Sequence, residues 1–172
     1  MQAALKKLGV NCLWHFTDEK NYQSIADNGL LSWKQIKLRE IKASAPGGND
    51  WSHDADAMAG VDDYVHLAFS RQHPMLYVAQ QEGRISKPIW LKIDLAVLED
   101  VNVKFTNAVS NKSGVLLLDN EQAKAQVDLT ALFTFLDFKE SGNRERKQSA
   151  EKSEILVPKM ILPKNILGLV DG

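Results

Sequence analysis

The chain has 172 residues, one domain's worth, with 44% apolar and 25% charged side chains, so disordered, collagen-like and fibrous classes are excluded. Its 21 basic and 22 acidic residues leave a formal charge of -1, which excludes a partner held by a global electrostatic field. The single cysteine, Cys12, excludes an internal disulfide and a cysteine-built zinc site, and a reducing compartment is the simplest setting.

Residues 12–16 (Cys-Leu-Trp-His-Phe) read as a short buried strand. Asp18 then caps a helix over 19–28 in which Tyr22, Ile25 and Ala26 fall at helical spacing, and Gly29 stands where a C-terminal cap belongs. Residues 33–42 are amphipathic and read as a helix. The segment 46–63 breaks the pattern: Pro46-Gly47-Gly48-Asn49-Asp50 is turn chemistry, and Asp54, Asp56, Asp62 and Asp63 follow without a Lys or Arg, so it reads as an exposed loop. Val65, Leu67 and Phe69 alternate in a strand over 64–69, and Pro74 opens a helix over 74–82 that Gly83 ends. Ile89, Leu91 and Ile93 alternate in a strand over 88–94. Further strands are expected at 101–105, 114–118, 154–157 and 166–170, with a core helix over 129–137. Segment 139–152 holds five basic and three acidic residues and no large apolar side chain, so it is a mobile loop or an exposed helix. The N-terminus lacks the apolar core of a signal peptide, and no stretch approaches the roughly 20 apolar residues of a membrane span. The expectation is a soluble, cytoplasmic protein with a single domain over 1–172. Irregular interleaving of short strands and helices argues for an α+β fold over a βαβ repeat.

The chemistry-bearing residues are few. Asp50, His53, Asp54 and Asp56 are metal-ligand types, but their spacing matches no EF-hand or zincin pattern, so a solvated acidic loop is the better reading and no metal is expected. Cys12 sits in an apolar run and reads as a core thiol. No Walker or dinucleotide-binding glycine pattern occurs. Strand alternation puts His15 and Thr17 on one face, where a core hydrogen bond or a ligand hydroxyl or carboxamide must satisfy them. Arg71 lies between a strand end and a proline-initiated helix, placed to grip an anion or to form a surface ion pair. Glu154 opens an apolar strand after the polar segment, either reaching a cleft or serving as a strand-edge carboxylate.

In order along the chain, these segments resemble the DarT ADP-ribosyltransferases, toxins that attach ADP-ribose to nucleobases. The resemblance rests on His15, Thr17, Asn21 and Gly29-Leu30; on Arg71 with Pro74-Met75-Leu76-Tyr77; on Phe105-Thr106-Asn107-Ala108; and on Glu154-Ile155-Leu156-Val157-Pro158. The chain departs from the family pattern at Asp18, at Tyr22 and in the acidic segment 50–63. The resemblance implies an ADP-ribosyltransferase-like fold, with mixed β-sheets forming a central NAD cleft between flanking helices. It implies NAD+ as co-substrate, with Glu154 and Arg71 catalytic. His15, Thr17, Asn21, Arg71 and Tyr77 would bind NAD, Tyr77 by stacking on nicotinamide. Segment 139–152 would read a single-stranded nucleic acid through Lys139, Arg144, Arg146, Lys147 and Lys152. The expected acceptor is a thymidine or guanosine of single-stranded DNA, with RNA bases or a protein acceptor as alternatives and a degenerate binding module as a non-enzymatic one. A cognate antitoxin is the expected protein partner.

Overall fold

The alternating apolar segments pair into a six-stranded sheet in the computed structural model, which describes residues 1–41, 44–45 and 48–172. The strands are β1 (Cys12–Asp18), β2 (Leu30–Leu31), β3 (Tyr64–Ala68), β4 (Pro88–Asp94), β5 (Lys104–Thr106), β6 (Glu154–Pro158), β7 (Met160–Ile161) and β8 (Ile166–Asp171). The helices are α1 (Gln2–Lys7), α2 (Tyr22–Asn28), α3 (Trp33–Leu38), α4 (Asp50–Met58), α5 (Pro74–Gln81), α6 (Asn120–Gln126), α7 (Leu129–Phe133) and α8 (Asn143–Ala150). The sheet order is β5-β6-β3-β1-β4-β8, with β2 and β7 forming a separate pair. The α+β class holds, and where mixed sheets are expected every pairing among the described residues is antiparallel.

Register sorts the side chains by face. Leu13 opposes Ile93, Leu67 opposes Ile155, and Phe105 opposes Ile155 from the other side. These residues are buried against Leu5 of α1, Leu95, Ala123 of α6 and Leu132 of α7. Each fully buried aliphatic side chain contributes about 1.5–3 kcal/mol, so this face carries the stability of the sheet. On the other face Trp14 and Phe16 pack edge-on against Trp90, with ring centroids 6.4 and 5.5 Å apart. Ala68, Glu154 and Thr106 stand opposite one another in three successive strands on that same face.

The structure corrects several expectations. Residues 50–58 form α4 rather than a loop: Asn49 caps it, its side chain accepting from Ser52 N at 2.8 Å. The strand expected at 114–118 reduces to an isolated bridge between Leu118 and Phe105, with Leu116 69% exposed. The strand expected at 101–105 begins at Lys104, because the Asp100 side chain turns the chain by accepting from Asn102 N at 2.8 Å. The helix expected over 129–137 stops at Phe133, where Thr134 becomes extended. Helix α3 ends at Leu38; Lys42, Ala43, Pro46 and Gly47 lie outside the described residues, and with them the end of the expected helix and part of the expected turn. Of the two readings of 139–152, the exposed helix is observed as α8.

Gly29 ends α2 at φ +81°, and a Cβ there would meet the Ile161 carbonyl oxygen at 2.5 Å, so only glycine lets α2 close onto β7. Asp18 ties the same corner to the sheet. Its side chain accepts from Ser86 N (2.7 Å), Lys87 N (3.0 Å) and Lys20 N (3.0 Å), the last starting the 3-10 turn that leads into α2. Burial pushes this carboxyl up, but the backbone N–H groups of Lys87, Lys20 and Ser86 more than offset it and hold its pKa at about 2. Because the folded value lies below the unfolded one, the stabilisation is present above about pH 4 and is lost as pH falls toward about 2. Asp18→Ala is expected to lower stability by about 2–3 kcal/mol at pH 7, with a difference from wild type that shrinks below pH 4, measured by urea unfolding across pH.

Candidate active site

Strand β1 pairs with β4 at seven consecutive positions but with β3 at one, Trp14 to Ala68. Beyond that bridge the His15 imidazole takes the place of the backbone ladder: its Nδ1–H donates to the His66 carbonyl at 2.9 Å. A cleft opens along this seam, lined by every residue of 14–17 and of 64–68. Its remaining wall includes Asn21, His53 and Asp56 of α4, His73, Met75, Arg84, Ser110 and Glu154.

Glu154 is the first residue of β6, fixed on both sides by pairing with Ala68 and Thr106, and its side chain is buried. Its Oε2 lies 3.3 Å from His66 Nδ1 and accepts from Ser110 N at 3.2 Å. Its Oε1 has His73 Nε2 at 3.5 Å. Burial pushes the Glu154 carboxyl up, but the hydrogen bond and charge of His66, then His73 and Ser110, more than offset it, so the carboxylate form is held.

Three histidines around it differ in charge. His66 faces acceptors with both nitrogens, Glu154 Oε2 through Nδ1 and the Val61 carbonyl through Nε2 at 3.4 Å. Burial opposes its charge, yet Glu154 and Asp56 hold its pKa up at about 9, so it is an imidazolium at neutral pH. His73 is buried before α5, where its Nδ1 accepts from Met75 N at 3.4 Å and its Nε2–H faces Glu154; burial pushes its pKa down and keeps it neutral. His15 is also neutral, its pKa pushed down to about 4 by burial. With Nδ1–H donated to His66, its Nε2 carries a lone pair on the cleft wall.

The sequence-expected residues divide accordingly. His15, Thr17, Asn21 and Glu154 meet in the cleft. The Asn21 amide is engaged by the protein itself, donating to Thr17 Oγ1 (3.0 Å) and the Ala45 carbonyl (2.6 Å) and accepting from Ser44 N and Ala45 N (both 3.1 Å). It therefore fixes the chain at 44–45 beside the cleft. Arg71 is exposed outside the wall, its guanidinium 5.2 Å from the ring centre of Trp14, a wall residue. Tyr77 is 66% exposed and does not line the cleft; Met75 of the same helix does. Arg146 is tied to Asp128 by two hydrogen bonds of 2.5 and 2.9 Å, and Lys147 donates to the Leu132 carbonyl at 2.9 Å, so both fasten α8 to α7. Lys139 and Arg144 line a shallow groove with Phe135, Phe138 and Lys147 itself, with Arg144 6.0 Å over the Phe138 ring.

Sequence reasoning passes over His66, His73, Arg84 and Ser110, and considers Asp56 only as a metal-ligand type. His66 alternates with the buried Val65 and Leu67, which signals the opposite face, and His73-Pro74 is a helix-start signature. Arg84 has a 15% exposed side chain and donates from Nε to Glu82 at 2.7 Å. Among the described residues no group of three or more His, Cys, Asp or Glu is arranged to hold a metal ion, and no helix is long and apolar enough to cross a membrane.

The family model described as "ssDNA thymidine ADP-ribosyltransferase, DarT" matches residues 14–170. Among solved structures, Thermus sp. 2.9 DarT in complex with ADP-ribosylated ssDNA is similar at TM-score 0.69 and 19% identity, covering 92% of this chain and 80% of that one. The same protein in complex with NAD+ is similar at TM-score 0.61 and 18% identity, with the same coverage. Thermosipho africanus DarTG in complex with ADP-ribose is similar at TM-score 0.68 and 16% identity, over 92% of this chain. The chain spans 43% of that longer Thermosipho chain. No protein of curated function matches in sequence.

Proposed function

The chain belongs to the DarT family, and we propose that it transfers ADP-ribose from NAD+ to a thymidine base of single-stranded DNA, releasing nicotinamide. The observation that carries this reading is the seam between β1 and β3, where the Glu154 carboxylate faces a cleft whose wall presents the unprotonated Nε2 of His15. The structural likeness to DarT proteins solved with NAD+ and with ADP-ribosylated ssDNA supports it. The likeness to a chain described as DarTG supports a cognate antitoxin as partner.

The chemistry asks for a group that stabilises positive charge at the ribose and a base that takes a proton from the acceptor. In the proposed reaction the bond between ribose C1′ and nicotinamide breaks, and nicotinamide leaves with the bonding pair. Glu154 binds the ribose 2′-hydroxyl and faces the developing oxocarbenium ion. A ring nitrogen of thymine then bonds to C1′, and its proton passes to the carboxylate. His15 Nε2 accepts a hydroxyl of the NAD ribose, and Thr17 and Asn21 hold the adjoining wall. Arg84, a cation on that wall, suits the pyrophosphate, while Arg71 at the rim is placed to meet an anion entering past Trp14. The groove of Phe135, Phe138, Lys139 and Arg144 offers rings for bases and cations for phosphates, the pairing that single strands favour.

Glu154→Ala is expected to lower transfer about 10²–10⁴-fold while NAD binding persists. The assay uses labelled NAD with single-stranded DNA, RNA and protein in parallel; label confined to RNA or protein would reassign the acceptor, and label on guanosine would reassign the base. Arg84→Ala is expected to raise KM for NAD about 10–100-fold with little change in kcat, as removal of a charge-assisted hydrogen bond to pyrophosphate would. Reversing the charge of Lys139 and Arg144 is expected to weaken oligonucleotide binding and flatten its salt dependence by roughly 0.7 in log–log slope for each phosphate no longer neutralised. Arg146→Glu is expected to act otherwise, lowering the melting temperature by breaking the Asp128 tie.

A further inference from the structure

We propose that His66 is a positioning residue for the reaction: its imidazole fixes one oxygen of the Glu154 carboxylate so that the other is presented to the cleft. The proposal rests on the reading of Glu154 as the catalytic carboxylate. A glutamate has three side-chain torsions, and a buried one is useful only if they are fixed. Pairing to Ala68 and Thr106 fixes the backbone of Glu154. The side chain is fixed through Oε2, which takes His66 Nδ1 at 3.3 Å and Ser110 N at 3.2 Å. Oε1 faces His73 Nε2 at 3.5 Å, too long for a good hydrogen bond. The two oxygens are therefore unequal, one clamped and one turned to the cleft.

His66 is itself fixed. Its Nε2 points to the Val61 carbonyl at 3.4 Å, and Ser110 Oγ lies 3.1 Å from Nδ1. The groups facing it are Glu154 on β6, Asp56 on α4, His15 on β1 and the neutral His73 before α5. Its own carbonyl accepts from His15 Nδ1, so one residue of β3 orients both the carboxylate and the histidine across the cleft. The two carboxylates keep the imidazole charged up to about pH 9, so both ring nitrogens donate through the neutral range.

The test compares wild type, Glu154→Gln, His66→Phe and His66→Asn, whose amide nitrogen restores a donor near the Nδ1 position without a titratable group. Initial rates of transfer to a thymidine-containing single-stranded oligonucleotide are measured from pH 6 to 10, with circular dichroism melts as a check on folding. Expected results are an inactive Glu154→Gln and a His66→Phe with kcat down about 10–100-fold, as a misplaced group gives, and KM for NAD within about threefold. His66→Asn should recover most of kcat. Wild type should lose activity as pH rises through about 9, where His66 gives up a donor, and His66→Asn should lack that limb. A folded His66→Phe with wild-type kcat beside a dead Glu154→Gln would overturn the positioning role and leave the proposed function standing. A His66→Asn that retains the wild-type alkaline limb would overturn it as well, whether or not His66→Phe folds. An active Glu154→Gln would remove the reading itself, and the proposal with it.

Discussion

Strand β1 is zipped to β4 along its length and to β3 at one position, and the cleft exists because of that asymmetry. A fully paired β1–β3 ladder would satisfy its backbone groups internally and leave no opening. Here the His15 ring takes the His66 carbonyl, which keeps the seam open while satisfying an acceptor that would otherwise be orphaned. The aromatic group of Trp14, Phe16 and Trp90 braces the β1–β4 side, so the break falls between two rigid halves of the sheet.

The charge pattern of the site follows from where hydrogen bonds direct protons. His15 and His73 each have Nδ1 committed to the backbone, one as donor to His66 and one as acceptor from Met75, and burial keeps both neutral. His66 lies between acceptors and near two carboxylates, so it carries the positive charge that lets Glu154 remain ionised when buried. A neutral histidine across the cleft adds no repulsion toward a cationic ribose, whereas a second imidazolium would. In the proposed reaction the site thus presents a carboxylate oxygen of Glu154, with no second imidazolium facing it, where positive charge would develop.

How much of this is legible in the sequence depends on the range of the interaction. His15 and Thr17 can be singled out because strand alternation and an apolar context demand partners for them, and Glu154 because it sits where polar chain meets apolar strand. The Asp18 cap and the Gly29 terminus are local and equally readable. Helix α4 is not, because aspartates and glycines dominate its surroundings, though Asn49 is a good cap. Nor is α6 singled out, despite the Asp119-to-Gln122 capping box that announces it. The contacts of Glu154 with His66 and Ser110 span 88 and 44 residues. Only the β3–β6 and β5–β6 registers bring those groups together, and no local pattern encodes a register between distant strands. Nor does composition distinguish a solvated cation from one fastening two helices, as Arg146 and Lys147 do.

That distinction changes what the near-neutral charge of the chain means. With Arg146 and Lys147 engaged in holding α8, the remaining cations that line the outer groove are Lys139 and Arg144, beside Phe135 at 90% exposure and Phe138 at 52%. In the proposed interface two cations neutralise few phosphates, so electrostatic attraction to bulk nucleic acid would be weak and would depend only shallowly on salt. Stacking on an aromatic ring adds about 1–3 kcal/mol per base and does not depend on charge. A strand held mainly by stacked bases is held with those bases unpaired, which is the state a transferase acting on a base nitrogen requires. Under the proposed function, the low net charge and the exposed rings are two parts of one arrangement: a weak hold on phosphate, and a preference for bases already out of a duplex.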